Sequence, residues 1–130
     1  MSKIVLDSSA VLAMAYGEPG GEKVRAAILS QRNSIFISAV NWCEILVKLA
    51  QRSSIITAEK LSAILPGVLI VPFGQAEAEV VASLAKSCPN ISLSDRACLA
   101  LARINHATAW TADRVWLQFK LDVPVELIRN

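Results

Sequence analysis

The chain has 130 residues, 54% of them hydrophobic, which is enough apolar material for the core of one domain but leaves little for a second. The net charge of +2 excludes no class of partner by itself. The mean hydropathy is positive, but charges or helix breakers interrupt every apolar run before the roughly 18 residues that a membrane span needs. We therefore expect a single domain over residues 1–130 and no membrane segment.

The start of the chain and the cysteines indicate the compartment. No basic segment or signal-peptide hydrophobic stretch precedes the first predicted strand, so we expect a cytoplasmic protein. Cys43, Cys88 and Cys98 are odd in number and show no CxxC spacing, which argues against a disulfide framework and a structural zinc site. All three are predicted to be buried thiols.

The first strand carries the first candidate site residue. Ile4-Val5-Leu6 is an apolar run without polar alternation, which suits a central parallel strand covered on both faces. It ends at Asp7, and in open α/β sheets the ligand lies beyond the carboxyl ends of the strands, where the order of winding reverses. Asp7 is therefore a candidate site residue, although it could equally cap the helix that begins near Ser8.

The rest of the chain alternates helices and strands. Further strands are predicted at residues 35–37, 69–71, 108–111 and 125–128. Helices are predicted at residues 8–16, 22–31, 39–52, 57–65, 75–86, 96–105 and 114–120. This alternation predicts an α/β fold, a three-layer α/β/α sandwich with a central, mainly parallel sheet of about five strands.

The helix predicted at 39–52 is apolar almost all the way round. Its one polar stripe consists of Asn41, Glu44 and Lys48, which share a face because they are three and four residues apart. That face must meet bulk water or a wet cleft. Glu44 is the only acid in it, and the alternative to a functional role is an exposed ion pair with Lys48.

Two further acids occur at the ends of predicted elements. Ser94 is the expected N-cap of the helix at 96–105, with Asp95 at its first position, where the helix dipole alone could explain a negative charge. Asp113 follows the fourth strand and lies close to the Thr111 hydroxyl, as Asp7 lies close to the hydroxyls of Ser8 and Ser9. Right-handed crossovers bring both strand ends to the same edge of the sheet.

Capping explains these acids one at a time but gives no reason for several to meet at one edge. Two carboxylates about 5 Å apart at an effective dielectric constant near 20 repel by roughly 3 kcal/mol, so a cluster of them calls for a cation. Hard oxygen ligands select Mg²⁺ or Mn²⁺, and water bound to such an ion can attack a phosphodiester. If a metal ion occupied four of the 11 carboxylates, 13 basic side chains and seven acidic ones would remain for the outer surface. This positive balance suits a polyanionic partner.

Five short segments in this order resemble a known family. They are Val5-Leu6-Asp7-Ser8-Ser9-Ala10, Gly17-Glu18-Pro19-Gly20, Glu44, Leu93-Ser94-Asp95 and Thr111-Ala112-Asp113. The chain resembles PIN-domain ribonucleases over nearly its whole length, most closely the VapC-type toxins of toxin–antitoxin pairs. Many members of the family have a further acid two residues after the position of Asp113 and a Phe directly after that acid. This chain has Val115 and Trp116 at those two positions.

The resemblance implies a metal-dependent endoribonuclease of RNA that leaves a 3′-hydroxyl and a 5′-phosphate. Asp7, Asp95 and Asp113 are its implied ligands for Mg²⁺ or Mn²⁺, and Glu44 orients or deprotonates the attacking water. The same resemblance assigns supporting roles to Ser8 and Thr111. It implies a small antitoxin protein as partner, and a homodimer, which the high apolar content also favours. Arg96 and Arg114, next to two of the acids, are candidates for contacts with backbone phosphates.

Other classes fit less well. A phosphoacceptor receiver domain is expected to have adjacent acids after its first strand and a Lys after a late one, and a nucleotide-binding module needs GxGxxG or a Walker loop. The single His106 excludes a ribonuclease mechanism that uses paired histidines. The remaining alternative is a catalytically inactive PIN-fold protein that acts through RNA or protein binding.

Overall fold

The computed structural model describes residues 2–130, which form five strands, six α-helices and a short 3₁₀ helix. The strands are β1 Ser2–Leu6, β2 Asn33–Ser38, β3 Leu69–Val71, β4 Thr108–Thr111 and β5 Val125–Leu127. The helices are α1 Ser8–Tyr16, α2 Gly21–Leu29, α3 Ala39–Gln51, α4 Ala58–Ala63, α5 Gln75–Leu84, α6 Leu93–Asn105 and the 3₁₀ helix Arg114–Gln118. None of the helices in residues 2–130 combines the length and apolarity needed to cross a membrane.

The strands form one sheet in the order β3-β2-β1-β4-β5, and every neighbouring pair is parallel. The chain runs from β1 outward through β2 to β3 and then returns to the other side of β1 for β4 and β5. The order of winding therefore reverses between β1 and β4. This confirms the predicted parallel sheet of five strands and places the ends of β1 and β4 side by side at the switch point.

The central strand β1 is covered on both faces. Ile4 and Leu6 belong to a core cluster shared with α1, α2, α3 and α4, whereas Val5 belongs to a second cluster shared with α5 and α6. Side chains of a strand alternate between the two faces, so an uninterrupted aliphatic run is what a strand between two helical layers requires. Full burial of one such side chain contributes about 1.5–3 kcal/mol. The three-layer sandwich is confirmed.

Helix α6 begins three residues earlier than predicted, and Ser94 is not its N-cap. The N-cap is Ser92, whose hydroxyl accepts the backbone N–H of Asp95 at 3.1 Å. The carboxylate of Asp95 accepts the N–H of Ser92 in return, also at 3.1 Å, which completes a capping box. Asp95 is therefore the third residue of the helix rather than the first.

Helix α3 differs from prediction on two of its faces. Ile45 and Leu49 pack into the core, but Cys43 and Val47 are exposed, so the prediction of a buried Cys43 is wrong. Helix α3 packs against the sheet and against α1 and α6, and Cys43 and Val47 lie on the face that these elements leave uncovered. Asn41, in contrast, is fully buried, although a polar stripe on a helix usually faces water.

Candidate active site

Asp7 lies where β1 ends and is only 3% exposed. Its backbone N–H donates to the carbonyl of Trp110 on β4 at 2.9 Å, so the sheet still holds the residue at the switch point. Asp7 occupies the N-cap position of α1, but its side chain makes no capping hydrogen bond. The alternative interpretation of Asp7 as a plain helix cap is therefore wrong.

Two hydroxyl groups hold one oxygen of the Asp7 carboxylate. Ser9 Oγ donates to Asp7 Oδ2 at 2.7 Å, and Thr111 Oγ1 donates to the same oxygen at 2.9 Å. Each hydroxyl also accepts a backbone N–H from the segment after β4, Ser9 from Ala112 at 2.9 Å and Thr111 from Asp113 at 3.0 Å. Because a hydroxyl has one proton, these bonds direct both donors at Asp7.

Asn41 connects three elements around this carboxylate. Its Nδ2 lies 3.0 Å from the carbonyl oxygen of Ser94, 3.1 Å from Ser8 Oγ and 3.4 Å from Asp7 Oδ1. Its Oδ1 is buried and has no hydrogen-bond partner among residues 2–130. The Ser8 hydroxyl, predicted to support the acidic site, thus contacts Asn41 rather than the Asp7 carboxylate.

Glu44 lies one turn after Asn41 on α3 and is half-buried. Ser94 Oγ donates to Glu44 Oε2 at 2.8 Å, which directs this carboxylate toward the start of α6. The ion pairs formed within residues 2–130 include neither Glu44 nor Lys48. The alternative interpretation of Glu44 as half of an exposed ion pair is therefore wrong.

The pKa values of Asp7 and Asp95 indicate which of the four acids lie close to one another. Burial raises the pKa of Asp7 to about 6, and the charge of Asp95 adds to this, against the lowering effect of the hydroxyl bonds. Burial also raises the pKa of Asp95, with further contributions from Asp113 and Glu44, while the hydrogen bonds with Ser92 lower it. The structure therefore brings the four predicted acids into one electrostatic neighbourhood, with Asp95 at its centre.

Asp113 has a structural role as well as its charge. It is the N-cap of the 3₁₀ helix, and its Oδ1 accepts the backbone N–H of Val115 at 2.9 Å. The capping interpretation holds for this acid, which still raises the pKa of Asp95. Trp116 is 1% exposed and belongs to the core cluster of α5 and α6. The two positions where many PIN-domain ribonucleases have an acid and Phe thus carry apolar side chains.

The four carboxylates share one arrangement of hydrogen bonds. A donor of the protein holds one oxygen of each, namely Asp7 Oδ2, Glu44 Oε2, Asp95 Oδ2 and Asp113 Oδ1. Among the four remaining oxygens, the only side-chain hydrogen bond within residues 2–130 is the long one from Asn41 to Asp7 Oδ1. Each carboxylate is therefore oriented by the protein while its second oxygen stays available.

No basic side chain of residues 2–130 forms an ion pair with these acids. The ion pairs join Lys23 to Glu126, Arg103 to Asp122 and Arg129 to Glu18. In the same part of the chain, no three His, Cys, Asp or Glu side chains converge closely enough to form a complete metal site. Mg²⁺, however, commonly binds one or two carboxylates and keeps several waters. Oriented carboxylates without a counterion therefore fit a hydrated Mg²⁺ or Mn²⁺ ion.

The two arginines next to the acids differ in what they contact. The Arg96 guanidinium donates to the carbonyl oxygens of Cys88 and Pro89 at 2.9–3.3 Å and so holds the segment before α6. Arg114 is exposed beside Asp113. Arg96 is engaged in the fold, and Arg114 is the one of the two that remains a candidate for a phosphate contact.

Three polar residues of the site were not predicted as site residues, namely Ser9, Asn41 and Ser94. A signal existed for Ser94, because Ser92-Leu93-Ser94-Asp95 is itself a capping-box sequence that places the helix start at Ser92 and frees the Ser94 hydroxyl. Ser9 follows Ser8 directly, and the sequence alone does not tell which hydroxyl turns back to Asp7. Nothing in the sequence marks Asn41 as buried.

The sequence profile of the PIN domain family matches residues 4–120 of the chain. A comparison with curated protein sequences finds no match.

Several solved structures are similar to this chain. VapBC2 from Rickettsia felis, bound to a DNA fragment of its promoter, has a TM-score of 0.76 and 17% identity over 96% of this chain and 98% of that chain. VapBC-1 from nontypeable Haemophilus influenzae has a TM-score of 0.72 and 16% identity, with coverages of 97% and 98%. Mycobacterium tuberculosis VapC20, a toxin that cleaves the sarcin-ricin loop, has a TM-score of 0.68 and 18% identity, with coverages of 93% and 99%. At these identities the similarity lies in the fold.

Proposed function

The chain belongs to the PIN domain family, and we propose that it is a metal-dependent endoribonuclease and the toxin of a toxin–antitoxin pair. The proposed reaction is hydrolysis of RNA phosphodiester bonds to a 3′-hydroxyl and a 5′-phosphate. The family supports a nuclease, and the similar fold of VapC20, a toxin that cleaves the sarcin-ricin loop, supports RNA as the substrate.

The observation that carries this proposal is the arrangement of Asp7, Glu44, Asp95 and Asp113. Four carboxylates lie in one neighbourhood without a basic partner in residues 2–130, and each keeps one oxygen free of short hydrogen bonds. The raised pKa values of Asp7 and Asp95 express the cost of this arrangement. A divalent cation would remove that cost, which explains why a fold would keep four acids here.

Asp7 and Asp95 are the proposed ligands of Mg²⁺ or Mn²⁺, and Asp113 completes the set directly or through water. When bound, such an ion polarises the phosphate and lowers the pKa of a bound water. Ser9 and Thr111 hold Asp7 Oδ2, so that Oδ1 is the oxygen left for the ion. Donors that are fixed before binding reduce the reorganisation that binding requires.

Glu44 is the proposed group that orients or deprotonates the attacking water. Ser94 holds Glu44 Oε2 at 2.8 Å, so Oε1 is the atom that would accept the proton. This hydrogen bond also fixes the direction of the carboxylate, because Ser94 lies in the first turn of α6 next to Asp95. The general base and a metal ligand are thus held by the same helix end.

We propose a small antitoxin protein and a second copy of the chain as partners, in the cytoplasm. The similar structures of VapBC2 and VapBC-1 support the antitoxin. Large apolar side chains are exposed on several elements, and contiguous exposed apolar surface marks protein interfaces. They include Leu29 and Ile64, which line a cleft of about 430 Å³, and Val47, Leu69 and Leu93 elsewhere.

The test is cleavage of a defined RNA by the purified protein with Mg²⁺, with Mn²⁺ and with EDTA. We expect cleavage only with the metal ions, and its loss in Glu44→Gln. Glu79→Gln is the matched control, because Glu79 is an exposed acid on α5 that is not among the groups shifting the pKa of Asp7 or Asp95. Cleavage that survives EDTA would contradict the metal requirement. RNA binding without cleavage would instead support the alternative of an inactive PIN-fold protein.

A further inference from the structure

We infer that Asn41 is a positioning residue that fixes Asp95 relative to Asp7 and thereby sets the affinity of the acidic site for its metal ion. The inference rests on the proposed metal-dependent function. Asn41 is uncharged and fully buried, and it lies one turn before Glu44 on α3. It therefore lies on the element that carries Glu44 and contacts the segments that carry Asp7 and Asp95, without being an acid itself.

The amide of Asn41 joins the two chain segments that carry the principal acids. The Ser94 carbonyl belongs to the same peptide group as the N–H of Asp95. The 3.0 Å hydrogen bond from Asn41 Nδ2 to this carbonyl therefore fixes the backbone at Asp95. The 3.1 Å bond to Ser8 Oγ fixes the residue that follows Asp7. An amide nitrogen has two protons, which these two shorter bonds use, and the 3.4 Å contact to Asp7 Oδ1 leaves that oxygen weakly held.

The orientation of the amide is fixed by what surrounds it. Rotating it by half a turn would place Oδ1 against the Ser94 carbonyl and the Asp7 carboxylate, which are both acceptors. In the observed orientation Oδ1 has no partner among residues 2–130, and a buried acceptor without a partner destabilises a fold. Leucine, which is similar in size, would leave no such atom. The oxygen of this amide therefore contributes no hydrogen bond within residues 2–130, while its nitrogen donates to the segments that carry Asp7 and Asp95.

The experiment compares Asn41→Leu and Asn41→Ser with wild type and with Asn33→Leu. Asn33 is the matched control, because its Nδ2 also donates to a carbonyl, that of Ala27 at 3.0 Å, but it lies at the amino end of β2. Mn²⁺ binding to the RNA-free protein is measured by titration calorimetry, together with melting temperature, half-activating Mg²⁺, kcat and KM for RNA. Asn41→Ser keeps one donor and is used if the leucine variant does not fold.

We expect the Mn²⁺ dissociation constant to rise about tenfold in Asn41→Leu and less in Asn41→Ser, since residues that orient metal ligands typically change affinity by 10–100-fold. Asn33→Leu should bind Mn²⁺ as wild type does. The half-activating Mg²⁺ should rise in parallel, while KM for RNA at saturating metal changes less than twofold.

Unchanged Mn²⁺ affinity in folded Asn41 variants, with only a lower melting temperature, would overturn the inference and leave Asn41 a structural residue. Wild type that binds no Mn²⁺ would overturn it together with the metal site. Wild type that binds Mn²⁺ and loses this binding in Asn41→Leu, but cleaves no RNA, would support the positioning role and contradict the ribonuclease.

Discussion

Asp7 and Asp122 are carboxylates in opposite surroundings. Asp7 is buried at the switch point of the sheet, where burial and then Asp95 raise its pKa to about 6. Asp122 is exposed, and the hydrogen bonds from the Arg103 guanidinium, at 2.8 and 3.2 Å, lower its pKa. The chain thus supplies a basic partner to an acid that water already solvates and supplies none to the acid that lacks water.

This difference in surroundings determines whether an acid stabilises or destabilises the folded state. A surface ion pair such as Arg103–Asp122 contributes little in either direction. A buried carboxylate without a counterion destabilises the folded state, and it persists in a fold when another property of the protein requires it.

Replacing Asp7 by Asn should abolish RNA cleavage, while Asp122→Asn should leave it unchanged. We expect the Asp7 variant to lose more than about 100-fold in kcat/KM, since even residues that only orient metal ligands cost 10–100-fold. Cleavage assays at saturating Mg²⁺ measure this. Equal activity of the two variants would remove Asp7 from the proposed site.

The same two variants should change the stability of the metal-free protein in opposite directions. Asp7→Asn removes a buried charge and should stabilise the fold by on the order of 1 kcal/mol, or several degrees in melting temperature. Asp122→Asn should lower the melting temperature by about a degree or less. Millimolar Mg²⁺ should raise the melting temperature of wild type and of Asp122→Asn but hardly that of Asp7→Asn, because binding to the native state stabilises it.

The pH dependence of stability should distinguish the two acids next. The pKa of Asp7 is about 6 in the folded state against 3.8 in the unfolded state, so its contribution to stability is fully present below pH 3.8 and is lost as the pH rises through about 6. Relative to Asp7→Asn, metal-free wild type should therefore lose roughly 1–3 kcal/mol between pH 4 and pH 7. The pKa of Asp122 is lowered in the folded state, so its contribution to stability has the opposite pH dependence and is lost as the pH falls. Denaturant unfolding across this range measures both, and a flat difference for Asp7 would contradict its raised pKa.

The smallest expected effect is on the reactivity of the three thiols, which also differ in whether they are exposed or buried. Cys43 is exposed, whereas Cys88 and Cys98 are buried, and burial followed by the charges of Asp7 and Asp95 raises the pKa of Cys98. We expect a thiol reagent to modify one cysteine per native chain rapidly and the other two only after unfolding. In Cys43→Ser the rapid phase should disappear. A rapid phase that remains in this variant would contradict the burial of Cys88 and Cys98.

Much of the fold was predictable because hydrophobic periodicity is a local signal. The aliphatic run of β1, the Gly17 helix end and the Thr57 cap all occur as the sequence indicates. The start of α6 was missed because Ser92 and Ser94 are both good N-cap residues. The capping-box spacing of Ser92 and Asp95 favours Ser92, and the reciprocal bonds between these two residues confirm it.

The proximity of the four acids was predictable, but the residues that hold them were not. Strand ends and helix starts are visible in a sequence, and carboxylates at such places attract notice. The burial of Asn41 and the exposure of Cys43 depend instead on how far α3 is rotated about its axis against the sheet and α6. That rotation results from packing over the whole domain, which no local pattern encodes.

The hydrogen bond between Thr111 and Asp7 joins residues that are 104 positions apart in the chain. We expect contacts of such high sequence separation to form late in folding, because the entropy of closing a long loop must be overcome first. The same holds for the hydrogen bond that Ser9 Oγ accepts from the backbone N–H of Ala112, across 103 positions. A partly folded chain can therefore hold β1, β2 and β3 in place and still lack the site. The recovery of activity after dilution from denaturant should follow the slowest step of refolding.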